Sequence, residues 1–290
     1  MHRPQPHALE KRRNRSAFYF LLPAVAIFSL YVIYPIVSTV ALSFYDWDGI
    51  AAKSFVGWAN YRELLHNDVF YKALSNNVIW LLLFMLAPPL GLALALYLNQ
   101  KVRGIELVKS LFFAPFVLSG VVVGLVFSWF YDPSFGLLRL ILGHGVPVLG
   151  DERYATFGVI FAALWPQVPF CMILYLTGLT NINPEMIEAG RIEGASGWGL
   201  FWHVVLPQLR SATFMSVTLT VIGALRSFDL ISVMTAGGPF DSSTVLAYFM
   251  YDQSIKYFRF GYSAAIAVVL FLIMLVFIAY QLRGLLRSEK

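Results

Sequence analysis

Residues 188–210 read EAGRIEGASGWGLFWHVVLPQLR, a polar, turn-rich insert between two long apolar runs. Asn183-Pro184 ends the preceding run, because the residue before proline is pushed out of the helical region and proline supplies no donor to the turn before it. Pro184 then opens a short helix in which Glu185 and Glu188 place negative charge near the N-terminus. Gly194 and Gly197 let the backbone turn sharply before a second apolar stretch, Trp198 to Val205. The spacing predicts a helix-turn-helix knuckle over 183–210. Its exposed aliphatic and aromatic side chains are costly in water unless a partner covers them. The plainer alternative is an amphipathic loop lying at the lipid headgroups.

Composition fixes the surroundings of that insert. With 59% hydrophobic and 13% charged residues the chain has too little polar surface for a soluble globule. Six apolar stretches, at about 17–43, 75–98, 110–131, 155–180, 211–235 and 262–282, are each near the roughly 20 residues a helix needs to cross a bilayer. The expected architecture is therefore an all-α integral membrane protein of six transmembrane helices over 17–282, with short tails at 1–16 and 283–290. Placing the N-terminus in the cytoplasm puts thirteen of the 21 lysines and arginines inside and seven outside, with Arg226 in the membrane. That satisfies the positive-inside rule, so both termini and the knuckle are expected in the cytoplasm. The net charge of +5 then reflects topology, and basic residues spread this way do not point to nucleic acid. The run from Ala17 to Phe44 is too long for a signal-peptide core and reads as a retained first span.

The knuckle resembles the EAA loop of permease subunits of binding-protein-dependent ABC importers. Glu188, Ala189, Gly194, Val204, Leu206 and Pro207 match its pattern, while Gly190, Glu193 and Arg210 depart from it. Two further stretches resemble the carbohydrate subgroup, the maltose and glycerol-phosphate type. In FVGWANYRELLHNDVFYKALSNNVIW, Gly57, Asn60, Tyr61, Phe70, Ala73, Leu74 and Asn77 fit the segment after the first span, and LRSFDLISVMTAGGPFDSSTVL, residues 225–246, is similar to the end of the fifth span. The resemblance implies a bacterial inner-membrane permease for a sugar or related polyol. Its implied partners are a second permease subunit, two cytoplasmic ATPase subunits that bind ATP and Mg, and an extracytoplasmic solute-binding protein. It also implies that Glu185, Glu188, Ala189, Gly190, Glu193, Gly194, Leu206 and Pro207 couple the chain to the ATPase.

The chain itself carries no phosphate loop ending in Lys-Ser or Lys-Thr and no metal-ligand spacing among its histidines, so no cofactor and no enzymatic activity are expected of it. The lone Cys171 reads as a small apolar packer. Polar residues inside the spans are the candidates for a path. A charge near the bilayer centre costs about 2.5–3.5 kcal/mol on insertion scales, so Arg226 and Asp229 are expected either to face a cavity or to pair, three apart, on one helix. Phe228 lies between them, Trp165 and Gln167 sit at a matching depth in a fourth span expected to be kinked by Pro166 and Pro169, and Asn77 lies in the second. Aromatic faces with amides and charges are what a polyhydroxylated ligand requires. Gly120 and Gly124 form a small-xxx-small pair suited to close helix packing. A secondary transporter of a small polar solute is the competing reading, against which stands the single acidic residue, Asp229, in any span.

Overall fold

The computed structural model describes residues 20–100 and 102–288, so the N-terminal tail at 1–16 lies outside the described residues. Helix α1, Phe20–Leu42, stands apart from the bundle for most of its length and packs its C-terminal end, Tyr34–Leu42, on the last helix. Its middle loosens into a π-turn at Ser29–Ile33, in which Tyr34 N–H reaches Ser29 O, just before Pro35. The wider turn accommodates a residue that lacks a donor and crowds the preceding turn. A two-stranded antiparallel ribbon, β1 (Tyr45–Asp46) with β2 (Ser54–Phe55), and a short α2 (Ala59–Leu64) follow. Asn60 Nδ2 ties them together by donating to Ser43 O and Tyr45 O, both at 2.9 Å.

The second span is longer than the hydropathy suggested. It begins at α3, Asp68–Phe84, capped by the Asn67 side chain, and continues after a two-residue step into α4, Ala87–Leu98. The third apolar run, 110–131, does not form one straight span. It divides into α5, Ile105–Val117, and α6, Gly120–Phe130, which meet at 95°. Pro115 lies in the last turn of α5, Leu118 and Ser119 are extended, and the Ser119 side chain caps α6 by accepting from Val122 N. Hydropathy averaged over so apolar a run does not register a change in direction at a single serine.

After the short α7, Leu137–Leu142, helix α8 runs unbroken over Ala155–Thr180 despite Pro166 and Pro169. The knuckle consists of α9 (Pro184–Ile192), α10 (Gly197–Leu200), a π-turn at Phe201–Val205 and α11 (Leu206–Gln208). The fifth span is also broken, into α12 (Arg210–Leu225) and α13 (Asp229–Met234). A loop then leads to α14 (Leu246–Tyr251), and the chain ends in α15, Phe260–Ser288, so residues 283–288 extend the last helix rather than forming a separate tail.

Two buried clusters hold these elements. The larger gathers Trp80 and Phe84 of α3, Val123 and Phe127 of α6, Val159 and Ile160 of α8, Val221 and Leu225 of α12, Ile231 and Met234 of α13, and Tyr262 and Ile266 of α15. The smaller, beside the knuckle, gathers Ala95 and Leu98 of α4 with Met172, Tyr175 and Leu179 of α8 and Leu209.

Candidate functional site

The knuckle is keyed into the smaller cluster. Ile187 of α9 and Val205 pack against it, and Leu209, with no exposed surface, sits inside it. Asn183 caps α9 by accepting from Glu185 N at 3.0 Å. The other end of α9 closes with a paired C-cap, in which Ala195 N–H reaches Gly190 O at 2.9 Å and Gly194 N–H reaches Arg191 O at 3.1 Å. That arrangement needs Gly194 in the left-handed region, where its φ is +90°. Gly190, the departure from the family pattern, has a packing reason. A Cβ there would stand 3.0 Å from Val204 Cγ2 and 3.1 Å from Leu200 Cδ1, so α9 lies almost backbone-on against the returning arm. Glu185, Glu188, Ala189, Glu193, Gly194 and Pro207 are exposed, and Leu206 is half-buried. Beside them Met186, Ile192, Trp198 and Trp202 are also exposed, with Ile192 at 87%. The result is an apolar ridge studded with carboxylates.

The expected path residues separate. Arg226 ends α12 and Asp229 opens α13, so the two lie on either side of a break and not on a common helix. Among the described residues no ion pair joins them, and both are exposed in the chain. Of the two alternatives, this removes the intrahelical pair. Asp229 instead lies against the other break, because a Cβ on Gly120 would stand 3.1 Å from its Cβ and 3.2 Å from its Oδ2. Two interrupted spans thus meet at their interruptions. Phe228 stacks on Tyr248 at 6.1 Å and meets Tyr251 edge-on at 5.0 Å, which makes an aromatic wall above the break. Gln167 belongs to the same region, since its Nε2 donates to Thr220 Oγ1 of α12 at 3.0 Å.

Trp165 does not. It points into an apolar groove of about 610 Å³ with Phe127, Phe161, Pro115 and Pro169, and its ring is 5.6 Å from that of Phe127. Residues two apart on a helix face nearly opposite sides, so Trp165 and Gln167 could not share a wall. Asn77 is turned to the start of α14. It is 2% exposed, and its Oδ1 accepts from Leu246 N at 2.9 Å, fixing the start of α14. Its neighbour Asn76 donates to Ser242 O and Thr244 O, and Lys72 to Phe240 O, so the α13–α14 loop is pinned to α3. Sequence reading missed Tyr248 and Tyr251, which hydropathy leaves in an outside loop. Their signal is the LAYFMY run after the loop.

Beyond the aromatic wall a polar pocket of about 210 Å³ is lined by Asp241, Thr244, Tyr248, Asp252, Gln253, Lys256 and Tyr257. Lys256 Nζ bonds Asp252 Oδ1 at 2.5 Å and Tyr248 OH at 3.0 Å, and these bonds raise its pKa above the ordinary lysine range. Among the described residues no group of three or more His, Cys, Asp or Glu is placed to hold a metal ion.

The chain is 37% identical to a probable ABC transporter permease protein of Pyrococcus horikoshii over 93% of its own length and 96% of that protein. It is 32% identical to the multiple sugar-binding transport system permease protein MsmF of Streptococcus mutans over 91% of its length and 93% of that protein. Among solved structures, a chain of a bacterial ABC transporter involved in the import of alginate has the same fold, with a TM-score of 0.83, 20% identity and coverage of 99% and 100%. The family model for the binding-protein-dependent transport system inner membrane component matches residues 87–287, and the chain belongs to that family of multi-pass permease subunits, which are transport subunits and not enzymes.

Proposed function

We propose that the chain forms, with a second permease, the path of an ABC importer for a sugar or related polyol. The observation that carries this reading is the meeting of two interrupted spans at Gly120 and Asp229, beneath the aromatic wall of Phe228, Tyr248 and Tyr251. Interrupted helices in a membrane leave backbone groups that lipid cannot satisfy, so breaks of this kind belong against protein or a water-filled cavity. Exposed Arg226 supplies donors there, Asp229 supplies acceptors, and the aromatic rings supply faces for C–H groups of a polyol. The relatives named for sugar transport support the substrate class.

The knuckle at 183–210 is the coupling surface for two cytoplasmic ATPase subunits, which bind ATP and Mg, with Glu185, Glu188 and Glu193 as its charged contacts. Both termini then lie in the cytoplasm of a bacterial inner membrane, and an extracytoplasmic binding protein delivers ligand to the opposite face. Co-purification of the chain with its partners, followed by uptake of a panel of mono- and disaccharides, polyols and glycerol phosphodiesters into proteoliposomes, tests this. Uptake that needs ATP and the binding protein is expected. Uptake driven by an ion gradient without ATP would overturn the reading.

A further inference from the structure

We infer that α6 and α13, the outer halves of two different broken spans, form one rigid arm, and that Gly120 and Gly124 are the positioning residues that hold it together. The inference rests on the reading that the break at 226–228 borders the path. A Cβ on Gly124 would stand 3.1 Å from Val233 Cγ1 and 3.2 Å from Val233 Cβ, repeating the Gly120–Asp229 contact one turn further on. The contacting positions are four apart on both helices, 120 with 124 and 229 with 233, so the two halves run side by side in the same direction. Val123 and Phe127 on one helix and Ile231 and Met234 on the other enter the same buried cluster.

The two interruptions also stand at one level, because Gly120 and Asp229, the first residues of the two halves, touch each other. Below them Leu118 and Ser119 are extended, and Arg226 and Phe228 leave the helical region. At each contact the missing Cβ of one helix receives a side chain of the other, Asp229 on Gly120 and Val233 with Met234 on Gly124, and this seating of side chains on the glycine positions resists the sliding of one half past the other. A bend at either interruption must therefore carry both halves, and with them Asp229 and the adjoining Phe228.

The test is a lock within the arm. In a Cys171→Ser background of the full complex, Gly124→Cys with Val233→Cys should oxidise readily, since the Cβ separation of 3.2 Å is within a few tenths of an ångström of disulfide geometry. The oxidised complex is expected to keep at least half of the uptake that the same protein shows after reduction, measured with a radiolabelled sugar from the panel above. Loss of tenfold or more on oxidation, regained with reductant, would show that the halves move apart and would overturn the inference. Failure of the disulfide to form in the folded complex would overturn the contact itself. If the sugar reading is wrong, uptake is absent with and without reductant, and binding-protein-stimulated ATP hydrolysis then reports the effect of the lock. Should the cysteine pair not assemble, Gly124→Ala serves. It should lower uptake at least threefold in an assembled complex, with Val233→Ala restoring it, and unchanged uptake would remove Gly124 from this role.

Discussion

Replacing Asp229 with Asn separates a path residue from a structural one by magnitude. Had Asp229 formed a buried pair with Arg226, removing its charge would strand the guanidinium and cost about 3–5 kcal/mol of stability. In the structure both residues are exposed and lie on opposite sides of a break, so the change should alter the fold by no more than about 0.5 kcal/mol, as for an ordinary surface substitution. A hydrogen bond between a carboxylate and a ligand hydroxyl is worth about 1.5–3 kcal/mol. At roughly 1.4 kcal/mol per tenfold, the loss is about 10- to 150-fold in apparent affinity. Uptake across a range of substrate concentrations, with complex yield and ATP hydrolysis measured on the same preparations, reads both quantities. The expected outcome is a raised half-saturation concentration with yield and hydrolysis unchanged. A collapse in yield that an apolar replacement of both Arg226 and Asp229 restores would refute the path assignment, as would unaltered uptake.

Three other outcomes follow from particular contacts. Asn76→Ala orphans the buried Thr244 carbonyl, whereas Ser242 O keeps the Thr156 hydroxyl at 2.8 Å, so a loss of about 1–3 kcal/mol should appear as a lower unfolding midpoint in detergent. Gly190→Ala should be close to neutral, because about 1 kcal/mol of helix propensity offsets the 3.0 Å contact with Val204, while Gly190→Leu should force α9 away from residues 200–204 and release the ATPase in a pull-down. Glu188→Arg, on the exposed face of α9, should weaken ATPase association and abolish uptake while membrane insertion, followed by fractionation, stays normal.

What the sequence revealed depended on how local the cause was. The turn of the knuckle was legible because Gly194 and its C-cap lie within one helical turn of each other. The carbohydrate-permease resemblance was legible because its residues stand at fixed spacings. The break at 118–119 was hidden in a run of uninterrupted apolarity, although Pro115 followed by Ser119, a proline and then a capping residue, carried the signal for an end and a new start. Asn77 was misread for a different reason. A polar residue in a span points equally well to a ligand or to a distant backbone group, and its partner Leu246 lies 169 residues away. Trp165 and Gln167 were separable from periodicity alone, since two residues of helix turn a side chain nearly to the opposite face.

Helices α8 and α12 each belong to both buried clusters. Val159 and Ile160 enter the larger, Met172 and Tyr175 the smaller, while α12 gives Val221 and Leu225 to the larger and packs Ala212 on the smaller, beside Leu209. Between the clusters Gln167 bonds Thr220, joining the two helices midway. The knuckle is rooted in the smaller cluster through Leu209, the residue that immediately precedes α12, and the outer end of α12 is the break at Arg226. Sixteen residues of helix span about 24 Å. A regular helix transmits a displacement along its length and yields where its hydrogen bonds stop, so a pull on the knuckle would reach the break at Arg226–Phe228, where we place the path. Knuckle variants should then silence both stimulated ATP hydrolysis and uptake, whereas Asp229→Asn leaves hydrolysis running. Equal loss of both activities in the two classes of variant would remove the distinction between a coupling residue and a path residue on which this reading rests.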